Sequence, residues 1–140
     1  MTKLTKSKTS NGTLELICFN MRAKGKRITG PRKKILEVLL DENHLSVREI
    51  HERIGRSSAS TATIYNNINY LVNEGYIFTS ESMGSKVYCV NSPRHYHERC
   101  PKCGEVTYVE SSDFDNLNLK NIENNYLVEI QGICKNCNKK

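Results

Sequence analysis

Two Cys-x2-Cys pairs, Cys100-Pro-Lys-Cys103 and Cys134-Lys-Asn-Cys137, constrain this chain more than any other feature. Each pair presents two thiols on one tight turn, and two such turns make a tetrahedral four-sulfur cage of the kind Zn2+ prefers. The alternative reading of Cys-x-x-Cys is redox. It would place the pair at a helix start in a larger βαβ unit, and nothing around either pair resembles that. The pairs flank a predicted strand (Val106–Glu110), a predicted helix (Asp113–Asn124) and a second predicted strand (Tyr126–Gln131). A unit of roughly 45 residues has too little core to stand alone, so a metal staple is physically useful there. Six cysteines without a recognisable export signal also argue against a disulfide framework, and the expected location is cytoplasmic. No apolar run approaches the roughly 18 residues a membrane-spanning helix requires, so no membrane partner is expected.

Charge points to a second property. The chain has 21 Lys and Arg against 15 Asp and Glu, a net +6, and the surplus is uneven. Residues 1–34 carry +9, with Glu15 the single acidic side chain there, whereas the remaining 106 residues carry −3. A positive end on a nearly neutral body suits a polyanion, and nucleic acid is the commonest soluble one. Residues 1–13 read as a flexible basic tail.

The intervening pattern says what the basic end is attached to. Leu14–Met21 predicts a first helix, and Pro31 opens a second with Ile35, Val38 and Leu39 on one side. Ser46-Val-Arg-Glu49 is a capping box for a third, with Val47, Ile50 and Ile54 as its apolar stripe. A fourth starts after Ser60 and stops at Gly75. Two short strands, Tyr76–Thr79 and Lys86–Val90, then flank a turn at Met83-Gly84-Ser85. Helices in tight succession followed by a hairpin give a winged helix-turn-helix. The fold class is therefore α+β: a winged-helix DNA-binding unit over residues 1–92 and a small zinc-stapled α/β unit over 93–140, linked near Asn91–Arg94.

On the fourth helix, Ile64, Ile68 and Leu71 fall on one face and must point to the core. Ala62, Asn66, Asn69 and Asn73 fall opposite, with Tyr65 flanking them. That outer face has no carboxylate, and its amides suit base edges in a major groove. The plain alternative is a solvated polar face. The basic terminus favours the groove, because it supplies phosphate contacts beside base contacts.

His95-Tyr-His97 places two imidazoles on one side of an extended segment, where both can meet one ion. Cys89, six residues earlier, can fold back towards them, and His44 is a distant fourth candidate. Taken singly, each of these also reads as an ordinary loop or core residue. His51, among charged neighbours, reads as a solvated side chain, and Cys18 as a small buried hydrophobe. A catalytic zinc would need an open coordination position and a general base; no His-Glu-x-x-His occurs, and an enzyme is not expected. A zinc-ribbon interaction module without a nucleic-acid role is disfavoured by the outer face of the fourth helix.

Taken together, Arg27-Ile-Thr-Gly-Pro-Arg32, Ala62-Thr-Ile-Tyr65-Asn66-Asn67, His95-Tyr-His97-x2-Cys100-x2-Cys103-Gly104 and Gly132-Ile-Cys134-x2-Cys137 resemble the ferric uptake regulator family. The resemblance runs from about Leu14 to the C-terminus. It implies a homodimeric winged-helix repressor that binds a double-stranded DNA operator, with a dimerising C-terminal unit and a metal at the hinge. It also implies that Cys100, Cys103, Cys134 and Cys137 hold structural Zn2+, and that His44, His95 and His97 belong to a regulatory site. Tyr65 and Asn66 match the base-contacting positions and Arg27 the minor-groove position, with Arg32, Ala62 and Asn69 alongside. Two departures bear on the sensed ion. Cys89 stands where iron- and peroxide-sensing members have a carboxylate, and Tyr108 stands where they have Asp or Glu, leaving Glu110 or no residue in that role. A thiolate favours Zn2+ over Fe2+ or Mn2+, and zinc-responsive members use a Cys before the His-x-His. Asn66-Asn67, by contrast, resembles the peroxide-regulator subgroup. Zinc is the favoured corepressor, and an iron- or manganese-dependent peroxide sensor is the alternative.

Overall fold

A computed structural model describes residues 2–123 and 125–139, with side chains from residue 12 onward. The order is α1 (Thr2–Ala23), α2 (Gly30–Asp41), α3 (Val47–Ile54), α4 (Thr61–Asn73), β1 (Phe78–Ser82), β2 (Ser85–Cys89), β3 (His95–Arg99), β4 (Val106–Glu110), β5 (Val128–Gln131) and α5 (Lys135–Asn138). The N-terminal four helices and the β1–β2 hairpin form the winged helix-turn-helix. The C-terminal sheet has the order β4-β3-β5, with β3 antiparallel to β4 and parallel to β5. Among the described residues, no helix is long and apolar enough to cross a membrane.

Local chemistry sets the helix boundaries. Thr29 caps α2 and Pro31 sits in its first turn, one position later than the sequence pattern suggests. Ser46 and Glu49 complete the reciprocal capping box of α3. Ser60 caps α4 through the Thr63 N–H, and Gly75 ends it at φ 82°, a conformation that costs glycine nothing. The wing turn is the two-residue Met83-Gly84, both at positive φ (53° and 85°), which matches the twist of the strands it joins.

Three expectations are corrected. The first helix spans Thr2–Ala23 rather than Leu14–Met21, and the expected flexible basic tail over residues 1–13 falls largely outside the residues described with side chains. The side chains of Lys3, Lys6 and Lys8 lie outside the described residues. His51 is buried rather than solvated, and its Nε2–H donates to the Ala59 carbonyl at 2.8 Å, tying α3 to the turn before α4. Residues 113–123 form a turn and an irregular connection instead of a helix. Asp113, Asp115, Asn116, Asn118 and Asn121 are short polar side chains that compete for backbone groups. The Tyr126 hydroxyl also takes helix-forming groups out of play: it donates to the Phe114 carbonyl (2.7 Å) and accepts from the Leu117 N–H (3.1 Å).

The hydrophobic core lies within residues 14–90. Leu14, Cys18 and Met21 of α1 pack with Ile35, Leu36 and Leu39 of α2, Ile50 of α3, and Ile64, Ile68 and Leu71 of α4. The C-terminal unit is different: Leu117, Leu119, Ile122, Ile130 and Ile133 are all exposed.

The connection between α2 and α3 is held to the wing. There Leu45 forms an antiparallel bridge with Tyr88 of β2 through paired backbone bonds of 3.0 and 2.8 Å. Two residues earlier, the Asn43 side chain donates to the Val90 carbonyl (2.8 Å) and accepts from the Val90 N–H (2.9 Å). That amide acts as one more peptide unit in the ladder. His44 lies between these anchors at φ 67°, a left-handed conformation unusual for a residue with a Cβ. Asn43→Ala leaves both Val90 groups without partners and is expected to cost about 1–3 kcal/mol of stability. Urea unfolding checks this; a loss below about 0.5 kcal/mol shows that water takes over both bonds.

Candidate metal centres and nucleic-acid face

The four cysteines of the two pairs meet. Cys100 follows β3, and its carbonyl accepts the Gly104 N–H at 2.8 Å, closing the first turn. Cys134 caps α5, its sulfur accepting the Cys137 N–H at 3.4 Å. The four Sγ atoms lie within 4.8 Å of one another, Cys103 and Cys134 at 3.9 Å, and all six cysteines of the chain are free thiols. A tetrahedral Zn–S bond of about 2.3 Å gives an S···S edge of about 3.8 Å, so the cage has the right size for the ion. Its electrostatics agree. Cys100 is drawn down to about 6 by the Cys134 backbone N–H, while Cys137 is pushed up to about 12 by the neighbouring Cys134 sulfur and by burial. Four thiolates in one cluster repel unless a cation sits among them.

The second cluster joins the two units. His44 comes from the α2–α3 connection, Cys89 from the end of β2, and His95 and His97 from β3. The Leu45–Tyr88 bridge carries His44 to Cys89, and the alternation of β3 turns both its histidines to the same side. The Nε2 atoms of His44, His95 and His97 lie 3.1, 3.1 and 3.2 Å apart, and Cys89 Sγ is 3.9 Å from His97 Nε2. Zn–N bonds of about 2.0–2.1 Å give N···N edges of about 3.3–3.4 Å. Three nitrogens this close cannot all be satisfied by one another, since one proton bridges only one pair. His95 Nδ1 reaches the Pro93 carbonyl at 3.1 Å and must donate its proton there, which leaves Nε2 with a free lone pair. An ion at the centre satisfies all three at once, and the residues therefore fit a divalent metal.

Charge tells the same story. Burial, then repulsion from the neighbouring imidazoles, lowers His44 to about 3 and His97 to about 4, and burial also lowers His95. Burial raises Cys89 to about 12. Without an ion the cluster is a set of neutral donors. A divalent ion held there would favour the Cys89 thiolate, with release of its proton.

Two residues around this cluster alter the sequence reading. Glu110 is not in the donor set; it lines the adjacent cleft, opposite His95 in the β3–β4 register. Glu129 escapes the sequence reading. It pairs with His97 in the parallel β3–β5 register, with Oε1 3.4 Å from Ser80 Oγ and 3.9 Å from His97 Nδ1. His97 Nδ1 is itself buried without a hydrogen-bond partner. No local signal marks Glu129, because β5 reaches β3 only through tertiary pairing.

On α4 the structure separates two faces. Ala62, Tyr65, Asn66 and Asn69 are exposed, and Ile64, Ile68 and Leu71 are buried. Arg27 is exposed, but Arg32 is not free to reach outward. Its guanidinium lies 3.6 Å over the Tyr70 ring, donates to Asn67 Oδ1 (3.0 Å) and donates to the Arg27 carbonyl (2.7 Å). Arg32 thus locks α4 against α2. Lys26 is likewise engaged, in an ion pair with Glu74.

The family model described as the ferric uptake regulator family matches residues 23–133. The peroxide-responsive repressor PerR of Staphylococcus aureus is 30% identical over 143 residues, covering 91% of this chain and 93% of its own. Among solved structures, the Helicobacter pylori ferric uptake regulator, described as having three functional metal binding sites, aligns with a TM-score of 0.58 at 23% identity, over 94% of this chain and 95% of its own. A zinc uptake regulator solved with zinc and DNA aligns with a TM-score of 0.54 at 17% identity, over 92% and 95%. At these identities the two structures show a shared fold.

The lowered imidazole values fix a pH dependence. A histidine near 6.5 when unfolded but near 3 to 4 when folded leaves the unfolded chain holding more protons in between. The stability gained by keeping these rings neutral is complete above about pH 6.5 and declines as the pH falls towards the folded values. Chelated protein should therefore lose melting temperature between about pH 7 and pH 5, and His97→Gln should flatten that slope. Equal slopes in both proteins would remove His97 from the effect.

Proposed function

The chain belongs to the ferric uptake regulator family, and from that premise we propose that it is a repressor that binds a double-stranded operator as a homodimer when a divalent ion fills the His44, Cys89, His95 and His97 centre. The observation that carries this reading is the convergence of three imidazole nitrogens and one thiol from both sides of the Asn91–Arg94 link. Ligands drawn from two units restrict their relative orientation only while the ion is bound. A dimer reads two half-sites spaced by helical turns, so orientation decides whether both α4 helices engage together. The ion need not touch DNA; it needs only to bind the competent arrangement more tightly. The chain is a regulator and not an enzyme.

Residues 1–92 form the DNA-binding unit in this reading, and 93–140 the dimerising one. The exposed apolar side chains of the C-terminal unit supply the dimer surface, and Cys100, Cys103, Cys134 and Cys137 hold a structural Zn2+. Ala62, Tyr65, Asn66 and Asn69 read bases, Arg27 supplies a groove or phosphate contact, and Arg32 acts indirectly by fixing α4.

Zn2+ is the corepressor that the donors favour, because a buried thiolate beside three imidazoles suits it better than Fe2+ or Mn2+. A second reading, a peroxide-responsive repressor using Fe2+ or Mn2+, is favoured by the 30% identity to the Staphylococcus aureus protein across most of both chains. Operator binding titrated with each metal at buffered free concentrations separates the two. Zinc-dependent binding that survives peroxide supports the first; iron-dependent binding lost to peroxide through oxidation of a ring at this centre supports the second.

The two centres should fail differently. His97→Ala is expected to abolish metal-dependent operator binding while leaving one tight zinc and the dimer intact. Cys134→Ser is expected to lose that zinc, the dimer and several degrees of melting temperature. A Cys134→Ser protein that is zinc-free, dimeric and equally stable would falsify the structural role.

DNA contacts divide similarly. Asn66→Ala should cost about 1–3 kcal/mol on the preferred operator and relax discrimination at one or two base pairs. Arg27→Ala should weaken every sequence alike and flatten the salt dependence. Binding isotherms on an operator variant set check this, and a uniform loss from both variants would reassign the α4 face.

A further inference from the structure

A cleft opens beside the four donors of the hinge centre, and an aromatic ring lines it. Cys89 and His97 are buried, and outside access runs through a cleft lined by His44, His95, Tyr108 and Glu110. Tyr108 lies on β4 directly opposite His97, so its side chain leaves the sheet on the same face as the histidine. There it lies flat on His44, with ring centroids 3.5 Å apart and planes 9° from parallel, and 4.8 Å from the His97 ring. Its hydroxyl hydrogen-bonds with Ser82 at the end of β1 and lies close enough to Cys89 to interact with its charge. The ring thus forms a wall of the centre, stacked on His44 and lining the cleft beside it.

We propose that Tyr108 is the specificity-determining residue of this centre, its ring covering the cleft side and holding the coordination number at four. The proposal rests on the reading of the cluster as a metal centre. Two physical effects support it. His44 sits on an irregular connection, and the stack fixes the direction in which its Nε2 points. The same ring also lines the cleft from which water, or the carboxylate of Glu110, would approach the ion as a fifth ligand. Three imidazole nitrogens and one thiolate confined to four positions suit Zn2+, which has no electronic preference for higher coordination. The same set is poor for Mn2+ and Fe2+, which take additional oxygen ligands readily.

Co2+ reports both occupancy and geometry, and the full chain with zinc retained on its four paired cysteines is the protein to use. In the wild type, one equivalent of Co2+ should give a thiolate-to-metal charge-transfer band from Cys89 and the intense visible bands of a four-coordinate ion. Tyr108→Ala should keep the charge-transfer band while the visible bands weaken severalfold as solvent enters. Its preference for Zn2+ over Mn2+, measured by competition, should narrow by roughly tenfold, about 1.4 kcal/mol. Tyr108→Phe keeps the ring and should match the wild type on every count. Unchanged visible bands and selectivity in Tyr108→Ala overturn the role of Tyr108 while the centre itself stands. A Tyr108→Phe spectrum resembling that expected for the alanine variant also overturns it, because the hydroxyl and not the ring would then be in control. Absence of the charge-transfer band in the wild type removes the centre, and the proposal with it.

Discussion

The Leu45–Tyr88 bridge is the contact on which the hinge centre depends. Without it the α2–α3 connection is an ordinary loop and His44 an ordinary surface imidazole. With it, and with the Asn43 amide paired to both backbone groups of Val90, the loop becomes a short edge strand of the wing. His44 is then carried to the end of β2, beside Cys89, by main-chain geometry. The left-handed backbone at His44 stores a modest strain, and the four hydrogen bonds flanking it over-determine the conformation. A ligand fixed in this way loses little conformational entropy when the ion arrives, so more of the binding free energy remains to hold the two units together.

How much of this is legible in the sequence depends on whether the signal is local. The capping box at Ser46 and Glu49, the Ser60 cap and the Gly75 stop of α4 involve residues within one turn of one another, and each has a chemical reason that survives any tertiary context. The cysteine pairs are legible for the same reason, since each half of the cage is a tight turn. His44 and Cys89 carry only a weak sequence signal as members of one site, because 45 positions separate them and the wing ladder brings them together. Glu129 has no signal at all. The expected helix near residue 113 fails where apolar spacing competes with local polar chemistry: the aspartates and asparagines, together with the Tyr126 hydroxyl, claim the backbone groups a helix needs. Arg32 makes contacts that its sequence pattern does not announce. Its charge and position suit DNA, but its planar group also suits stacking on Tyr70, and packing takes it.

The wing hairpin runs between both metal centres. Near its middle, Ser80 donates to Glu129, the carboxylate beside His97. At its tip, the Met83 N–H donates to the Gly104 carbonyl at 3.0 Å, in the turn that presents Cys100 and Cys103. Gly104 sits at φ 81°, and a side chain there would place its Cβ 3.7 Å from the Met83 backbone. The hairpin that follows α4 therefore leans on the turn of the cysteine cluster and on the carboxylate beside His97.

The strength of those contacts decides whether such an arrangement can switch. Besides the hinge cluster and the stack of Tyr108 on His44, bonds between the two units among the described residues include Ser80 to Glu129, Met83 to Gly104, the His95 N–H to Asn91, Asn91 to the Tyr126 carbonyl and Asn125 to the Gly75 carbonyl. Each contributes about 0.5–1.5 kcal/mol net, and most lie partly in water. Against them stands the conformational freedom of the link, of comparable size for a few residues at about 1–2 kcal/mol each. On these magnitudes a fixed and a loose arrangement would differ by a few kcal/mol at most. From such a starting point, a change of roughly a hundredfold in operator affinity requires only about 2.7 kcal/mol of preferential metal binding. An apolar interface of ordinary size between the units would have removed that sensitivity by fixing the orientation with or without metal. Leu117, Leu119, Ile122, Ile130 and Ile133 of the C-terminal unit are instead exposed, and under the proposed reading an ion held by the three imidazoles and one thiol would supply the missing preference.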